Sequence, residues 1–207
     1  MSLWCADPYT SYWSYTSPDT KTWDASVFPS AYDLYLNNNK VTELTEEMLQ
    51  DIRSFRDYAF KNCKSLISVS IPLEIKNFGR YVFEGCSGIT TVTANQVMLG
   101  RWSSTFDSNS IKEIIVQDGV TELPSYSFAY CSNLTSVTIP ASVTKIESYI
   151  FNGCESITNI IFEDTTSKWY WRETEEGVPM SKDSAENAKL FKSKHYSVLL
   201  SEKYISN

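Results

Sequence analysis

The chain copies itself. With 123–145, LPSYSFAYCSNLTSVTIPASVTK, as reference, near-copies lie end to end around it: FRDYAFKNCKSLISVSIPLEIKN at 55–77, FGRYVFEGCSGITTVTANQVMLG at 78–100, RWSSTFDSNSIKEIIVQDGVTE at 101–122, and IESYIFNGCESITNIIFED from Ile146 onward. The copies start at 55, 78, 101, 123 and 146, so the step is 23, 23, 22 and 23 residues. A fixed period in that range belongs to solenoids, in which one unit cannot bury its own apolar face and stacks on its neighbours.

Within each copy the apolar positions recur as F-x-x-C-x-x-L-x-x-V-x-I. The reference copy supplies Phe128, Cys131, Leu134, Val137 and Ile139; the first supplies Phe60, Cys63, Leu66, Val69 and Ile71. A step of three from Phe to Cys puts both side chains on one side of a single helical turn, and V-x-I has the period of two that a strand needs. Each unit therefore reads as a turn followed by a short strand. Pro72 and Pro140 stand directly after their strands, where a missing N–H and a fixed φ end pairing. Parallel strands about 4.8 Å apart would build a sheet roughly 25 Å long.

These residues resemble the BspA-type leucine-rich repeats of bacterial surface proteins. L-x-x-V-x-I is a leucine-rich-repeat strand core, and the unit carries Phe and Cys ahead of the strand and I-P-x-S-V-T-x-I after it. The resemblance covers about 33–164. It implies an α/β repeat fold, a right-handed leucine-rich-repeat solenoid with a short parallel sheet on its concave face and irregular caps at both ends. It also implies export to the cell surface and non-enzymatic adhesion to proteins or other cells. The partner expected here is a protein, such as one of the host extracellular matrix or plasma. The third copy departs from the pattern: it is one residue shorter, has Ser108 and Asn109 near the Cys position, and carries Trp102 where the others have Arg56, Gly79, Pro124 and Glu147. A local irregularity is expected there.

Two rows of residues are candidates for a binding surface. Strand residues between the core positions point to the concave face: Ser68 and Ser70, Thr91 and Thr93, Glu113 and Ile115, Ser136 and Thr138, Asn159 and Ile161, with Asp33 and Tyr35 expected to precede them. A floor of hydroxyls is either a passive solvated sheet of β-favouring residues or a flat docking surface. The second row stands two residues before each repeat Phe: Tyr58, Tyr81, Ser104, Tyr126 and Tyr149. Stacked tyrosines pack on one another, yet tyrosine also suits protein contacts, having a large area and few rotatable bonds.

The flanks lack the repeat. Residues 1–30 are dense in Tyr, Trp, Ser and Thr, with Pro8, Pro18 and Pro29 as breakers, and no period is sustained. Trp4, Trp13 and Trp23 are expected to cover the open end of the solenoid as an irregular cap, since an exposed terminal repeat has to be covered. Residues 31–54 read as a degenerate first repeat: a strand at 33–36, a polar turn at 37–39, and a helix at 45–52. Thr45 caps that helix, Glu46 and Glu47 favour its N-terminal dipole end, and Met48, Leu49 and Ile52 form its buried stripe. The repeats occupy 55–163. Residues 164–207 form a C-terminal cap with a short helix at 184–191 and a last strand at 196–200. Family members often end in an aromatic, Asn-Ala-containing segment, which Trp169 and Asn187-Ala188 resemble.

Composition removes several classes of function. Acidic residues number 25 against 18 basic, for a net charge of −7 and a pI near 4.8, which argues against a nucleic-acid partner because phosphate binding needs clustered Lys and Arg. The longest basic grouping, KLFKSK at 189–194, reads as a solvated face. No run of 18 apolar residues is present, so membrane insertion is not expected. Met1 is followed at once by polar and aromatic residues, so the leader that export requires is expected to have been removed. Nothing in the sequence assigns an oligomeric state.

Catalytic and metal chemistry are equally short of groups. Cys63, Cys86, Cys131 and Cys154 share one repeat position and Cys5 lies apart; without a C-x-x-C and with His195 alone, a zinc site is not expected. The four are read as small apolar fillers with reduced thiols. The alternative is a disulfide joining Cys63 to Cys86 or Cys131 to Cys154, subject to the Cα spacing it requires. No phosphate-binding glycine loop, dinucleotide fingerprint, G-x-S-x-G or H-E-x-x-H occurs, so neither cofactor nor enzymatic activity is expected. Besides adhesion, two functions stay open: a rigid spacer projecting another domain, and a weaker reading as a carbohydrate-binding or glycan-hydrolysing domain.

Overall fold

In the computed structural model, residues 3–7, 10–14, 16–17, 22–23, 33–36, 39–100, 102, 105–106, 109–172, 177–193 and 198–201 are described. The chain opens with β1 (Leu3–Asp7), β2 (Thr10–Ser14), β3 (Thr16–Ser17), β4 (Thr22–Trp23), β5 (Asp33–Leu36) and β6 (Asn39–Val41). The repeats then supply β7 (Glu43–Leu44), β8 (Ser54–Phe55), β9 (Ser68–Ser70), β10 (Asn77–Phe78), β11 (Thr91–Ala94), α1 (Gln96–Leu99), β12 (Glu113–Val116), β13 (Glu122–Leu123), β14 (Ser136–Ile139), β15 (Lys145–Ile146) and β16 (Asn159–Phe162). Last come β17 (Lys168–Trp171), β18 (Gly177–Pro179), α2 (Ser184–Ser193) and β19 (Leu199–Ser201).

The V-x-I strands pair in parallel and in strict register. One six-stranded sheet runs β16-β14-β12-β11-β9-β7, with Leu44, Val69, Val92, Ile114, Val137 and Ile160 in one buried row across it. Strand alternation then sends the flanking residues to the other face. Phe60, Phe83, Phe128 and Phe151 and the four repeat cysteines lie in the same core. The phenylalanines form stacks: Phe60 on Phe83 and Phe83 on Phe106, each with centroids 5.2 Å apart, and Phe128 on Phe151 at 5.5 Å.

Between sheet and Phe the chain makes turns rather than helix. In the first copy the N–H of Ala59, Lys61 and Cys63 donates to the carbonyl three residues earlier. The intervening amides of Tyr58, Phe60 and Asn62 donate instead to Arg80, Val82 and Glu84 of the next copy, at 2.8 to 2.9 Å. The expected helix at 45–52 is likewise a run of turns. Its cap survives, since Met48 N donates to Thr45 Oγ1 at 3.3 Å, and Leu49 and Ile52 are buried. Eight residues tied at both ends to strands gain too few i→i−4 bonds to offset helix nucleation.

The short strands after each turn fall into two sheets, β10-β8-β4-β3 and β13-β15-β19-β17-β18, with α1, at the end of the second copy, standing between β10 and β13 in the chain. Asn95 starts this turn of helix, accepting from Met98 N at 3.0 Å and donating to Pro72 O at 2.8 Å. Trp102, fully buried, fills the gap between Phe106 and Phe128, with centroids 4.8 and 5.7 Å away. In the third copy the expected irregularity is this change of packing at Trp102, and the change of backbone, α1, comes just before it at the end of the second copy.

The aperiodic N-terminal stretch is built of strands in its described parts. β1 pairs antiparallel with β2 and β5, and β3 and β4 form a hairpin whose β4 joins β8 in parallel. At the other end α2 lies along β16, where buried Asn187 donates to Ile160 O and Ser181 O, each at 2.9 Å, and accepts from Ser181 N. A sheet edge cannot leave its carbonyls buried and unpaired, and this amide supplies the donor.

Candidate binding surfaces

The outward rows of the six-stranded sheet assemble as the alternation predicts. Glu43, Ser68, Thr91, Glu113, Ser136 and Asn159 form one row by register, and Ser70, Thr93, Ile115, Thr138 and Ile161 form the next. All are half-buried or exposed. The hydroxyls are not all idle: Thr91 Oγ1 donates to Glu113 Oε2 at 3.5 Å, and Ser70 Oγ to Glu46 Oε1 at 2.9 Å. Glu46, expected to serve a helix dipole, also accepts from Gln117 Nε2 at 2.7 Å, so it ties its turn to the rim of the sheet. At the far edge Asn159 Oδ1 accepts from Ser184 Oγ of α2. The face carries two large apolar side chains, Ile115 at 36% exposure on the inner strand β12 and Ile161 at 43% on the edge strand β16.

Tyr35 is not part of this face. Its strand β5 pairs antiparallel with β1 and β6, opposite Trp4 and Lys40, and the parallel sheet begins with β7. The 33–36 segment has the alternation of a strand, but alternation does not say which sheet it joins.

The tyrosine row exists as two stacked pairs. Tyr58 stacks on Tyr81 and Tyr126 on Tyr149, both with centroids 5.3 Å apart and planes within 17° and 6°; Ser104, between them in sequence, lies outside the described residues. Lys61 Nζ sits 4.7 Å above the Tyr58 ring and 3.3 Å from Glu84. All four tyrosines have φ between 58° and 62°, a conformation that costs a non-glycine residue about 1 kcal/mol or more. Stacking and inter-copy amide bonds offset that cost. Residue type does not announce it, since φ > 0 is usually marked by Gly or Asn.

The repeat cysteines are free thiols in the core. Cys86 donates to Phe60 O at 2.9 Å and Cys154 to Phe128 O at 3.0 Å, each reaching back into the preceding copy. Burial pushes the thiols of Cys63 and Cys86 up from their ordinary range, and that of Cys154 up to about 12. Among the described residues no three His, Cys, Asp or Glu stand together as metal ligands, and no helix is long and apolar enough to cross a membrane. His195 lies outside the described residues, as do the side chains of Trp4, Trp13 and Trp23.

The BspA type leucine rich repeat region matches residues 38–171 in six copies, and the chain belongs to that family. No curated protein matches the chain. Among solved structures it is similar to a leucine rich cell surface protein of Faecalibacterium prausnitzii (23% identity, 66% of this chain and 36% of that one, TM-score 0.45). It is also similar to leucine-rich repeat proteins of Bacteroides ovatus (22%, 60% and 40%, TM-score 0.39) and T. pallidum (21%, 60% and 54%, TM-score 0.34). The chain therefore spans between about a third and just over half of the length of these proteins.

Proposed function

We propose that this chain is a non-enzymatic protein-binding module of an exported, surface-held protein, and that it docks its partner on the outward face of the six-stranded sheet. The carrying observation is the second outward row, where Ile115 and Ile161 stand exposed in register with Thr93 and Thr138. Large apolar side chains on a rigid sheet are the elements from which interface centres are made, and six strands about 4.8 Å apart give a flat area of useful width. The tyrosine pairs support docking less well, because each ring already packs on its neighbour. Family membership favours an interaction or repeat module over catalysis.

The test is solution binding of the chain to soluble extracellular matrix and plasma proteins, beside a Thr91→Arg, Glu113→Arg, Ser136→Arg triple variant. These residues lie on neighbouring strands of one row, so three guanidinium groups would block docking without entering the core. Saturable binding lost in the triple variant supports the sheet. Binding that persists moves the site to Tyr58, Tyr81, Tyr126 and Tyr149, and absence of binding leaves the spacer reading.

A further inference from the structure

The sheet face carries its charges with one sign. Glu43, Glu46 and Glu113 are exposed on it or at its rim, and its outward rows contain no lysine or arginine. Elsewhere the copies neutralise one another's carboxylates: Lys61 pairs with Glu84 of the next copy at 3.3 Å, and Lys145 with Glu122 of the preceding one at 2.8 Å. None of the ion pairs among the described residues takes in the three sheet carboxylates. Lys112, next to Glu113 in the chain, joins none of those pairs either.

Neutral donors hold these carboxylates instead. Glu46 is fixed from two sides, by Ser70 on β9 and by Gln117 just past β12, and Glu113 accepts from Thr91. A neutral hydrogen bond fixes direction but leaves the charge uncompensated, so the energy of meeting a cation is still to be gained there. Glu43 and Glu113 lie in one row three strand steps apart, which is ~14 Å at the usual strand spacing. Four residues of an extended chain span about 13 Å, so side chains on one face of such a chain reach both. Ile115 stands two residues after Glu113 on the same face, and Ile161 lies two strands further along its row. The whole strip measures roughly 24 by 13 Å, well short of the ~800 Å² per partner of a broad protein interface, and matches one segment of chain.

We propose, on the reading of the sheet as the docking face, that the partner presents a cationic segment to this strip, with Lys or Arg about four residues apart and an apolar side chain between them.

The experiment is fluorescence anisotropy with a labelled Lys-Ser-Leu-Ser repeat peptide and its Glu-Ser-Leu-Ser counterpart. Each is titrated with the full chain, with a Glu43→Gln, Glu46→Gln, Glu113→Gln sheet variant, and with an Asp57→Asn, Glu84→Gln, Glu155→Gln control. Both variants lose the same charge, but the control carboxylates lie in the turns before the strands. Gln at position 46 keeps the acceptor used by Ser70 and Gln117, and thermal unfolding verifies that both variants stay folded. The lysine peptide is expected to bind saturably and the glutamate peptide not, with at least tenfold weakening in the sheet variant and less than twofold in the control. Binding should also weaken between about 0.1 and 1 M salt, over which the Debye length falls from roughly 10 to 3 Å.

No binding of the lysine peptide overturns the proposal. Equal weakening in the two variants overturns it too, since the effect would then be one of net charge. A matrix or plasma protein that is lost in the Thr91→Arg, Glu113→Arg, Ser136→Arg variant, yet binds the sheet variant within twofold of the wild type, would keep the sheet as docking face and overturn the cationic segment. A protein bound equally by all variants would overturn the docking face and the segment with it.

Discussion

The indole N–H of Trp102 donates to Sγ of Cys131 at 3.1 Å, across 29 residues of sequence and wholly within the core. This bond belongs to the irregular start of the third copy. α1 closes the copy before it, and Trp102 stands where the stack of phenylalanines would otherwise open between Phe106 and Phe128.

Trp102→Ala should therefore destabilise the chain by about 3–5 kcal/mol, the range for removing a buried aromatic. Trp102→Phe retains part of the volume but loses the donor, and should cost less than half as much. Urea unfolding with both variants measures this. A Trp102→Ala loss below about 1 kcal/mol would mean that the two halves of the stack do not depend on the bridge.

Asn187 is expected to matter as much as a core residue. Truncation to Ala removes the donor to Ile160 O and leaves buried edge groups unpaired, at about 1–3 kcal/mol for each unsatisfied group. Hydrogen exchange should then quicken in β16 and α2 before it changes in β9 or β11. Uniform quickening through the sheet would contradict a capping role.

Two glycines should respond differently to the same change. A Cβ on Gly79 would collide with the backbone of Arg56 and Asp57, which cannot yield, whereas one on Gly85 would meet the Asn62 side chain, which can rotate away. Gly85 carries in addition a φ of 73°. Gly85→Ala is expected to cost about 1–2 kcal/mol, from strain and a displaced amide, and Gly79→Ala more than 3 kcal/mol, the upper end for overpacking. Thermal unfolding of the two variants gives the order directly.

The buried thiols set an alkaline limit. Cys63, Cys86 and Cys154 titrate higher in the fold than their ordinary value of 9.0. Below that value both folded and unfolded chains keep the protons, so the contribution is fully present. As pH rises from about 9 towards the folded value, about 12 for Cys154, the unfolded chain loses protons that the folded chain retains, and stability falls. The urea midpoint should drop between pH 9 and 10.5, and drop less in a Cys86→Ala, Cys154→Ala variant. An equal slope in that variant would overturn the assignment to these thiols.

Much of the fold is legible in the chain because its signal is local and repeated. Val69, Val92, Ile114, Val137 and Ile160 announce themselves by alternation, and five agreeing copies fix the register between strands that no single copy could fix. Pro72 and Pro140 mark strand ends by their own covalent geometry. The outward rows from Ser68 to Ile161 follow from the same alternation, so the candidate sheet surface was readable residue by residue.

Tertiary structure decided what depends on partners far away in the chain. Tyr35 has a strand's pattern, yet its sheet was chosen by pairing with β1. The segment at 45–52 has a helix's pattern, yet its ties to β7 and β8 leave it as turns. Tyr58, Tyr81, Tyr126, Tyr130 and Tyr149 adopt positive φ because inter-copy hydrogen bonds and stacking outweigh a steric preference that acts within one residue. Local sequence determines which side of a strand a residue takes; only the assembled copies determine which strained conformations and which edges are stabilised.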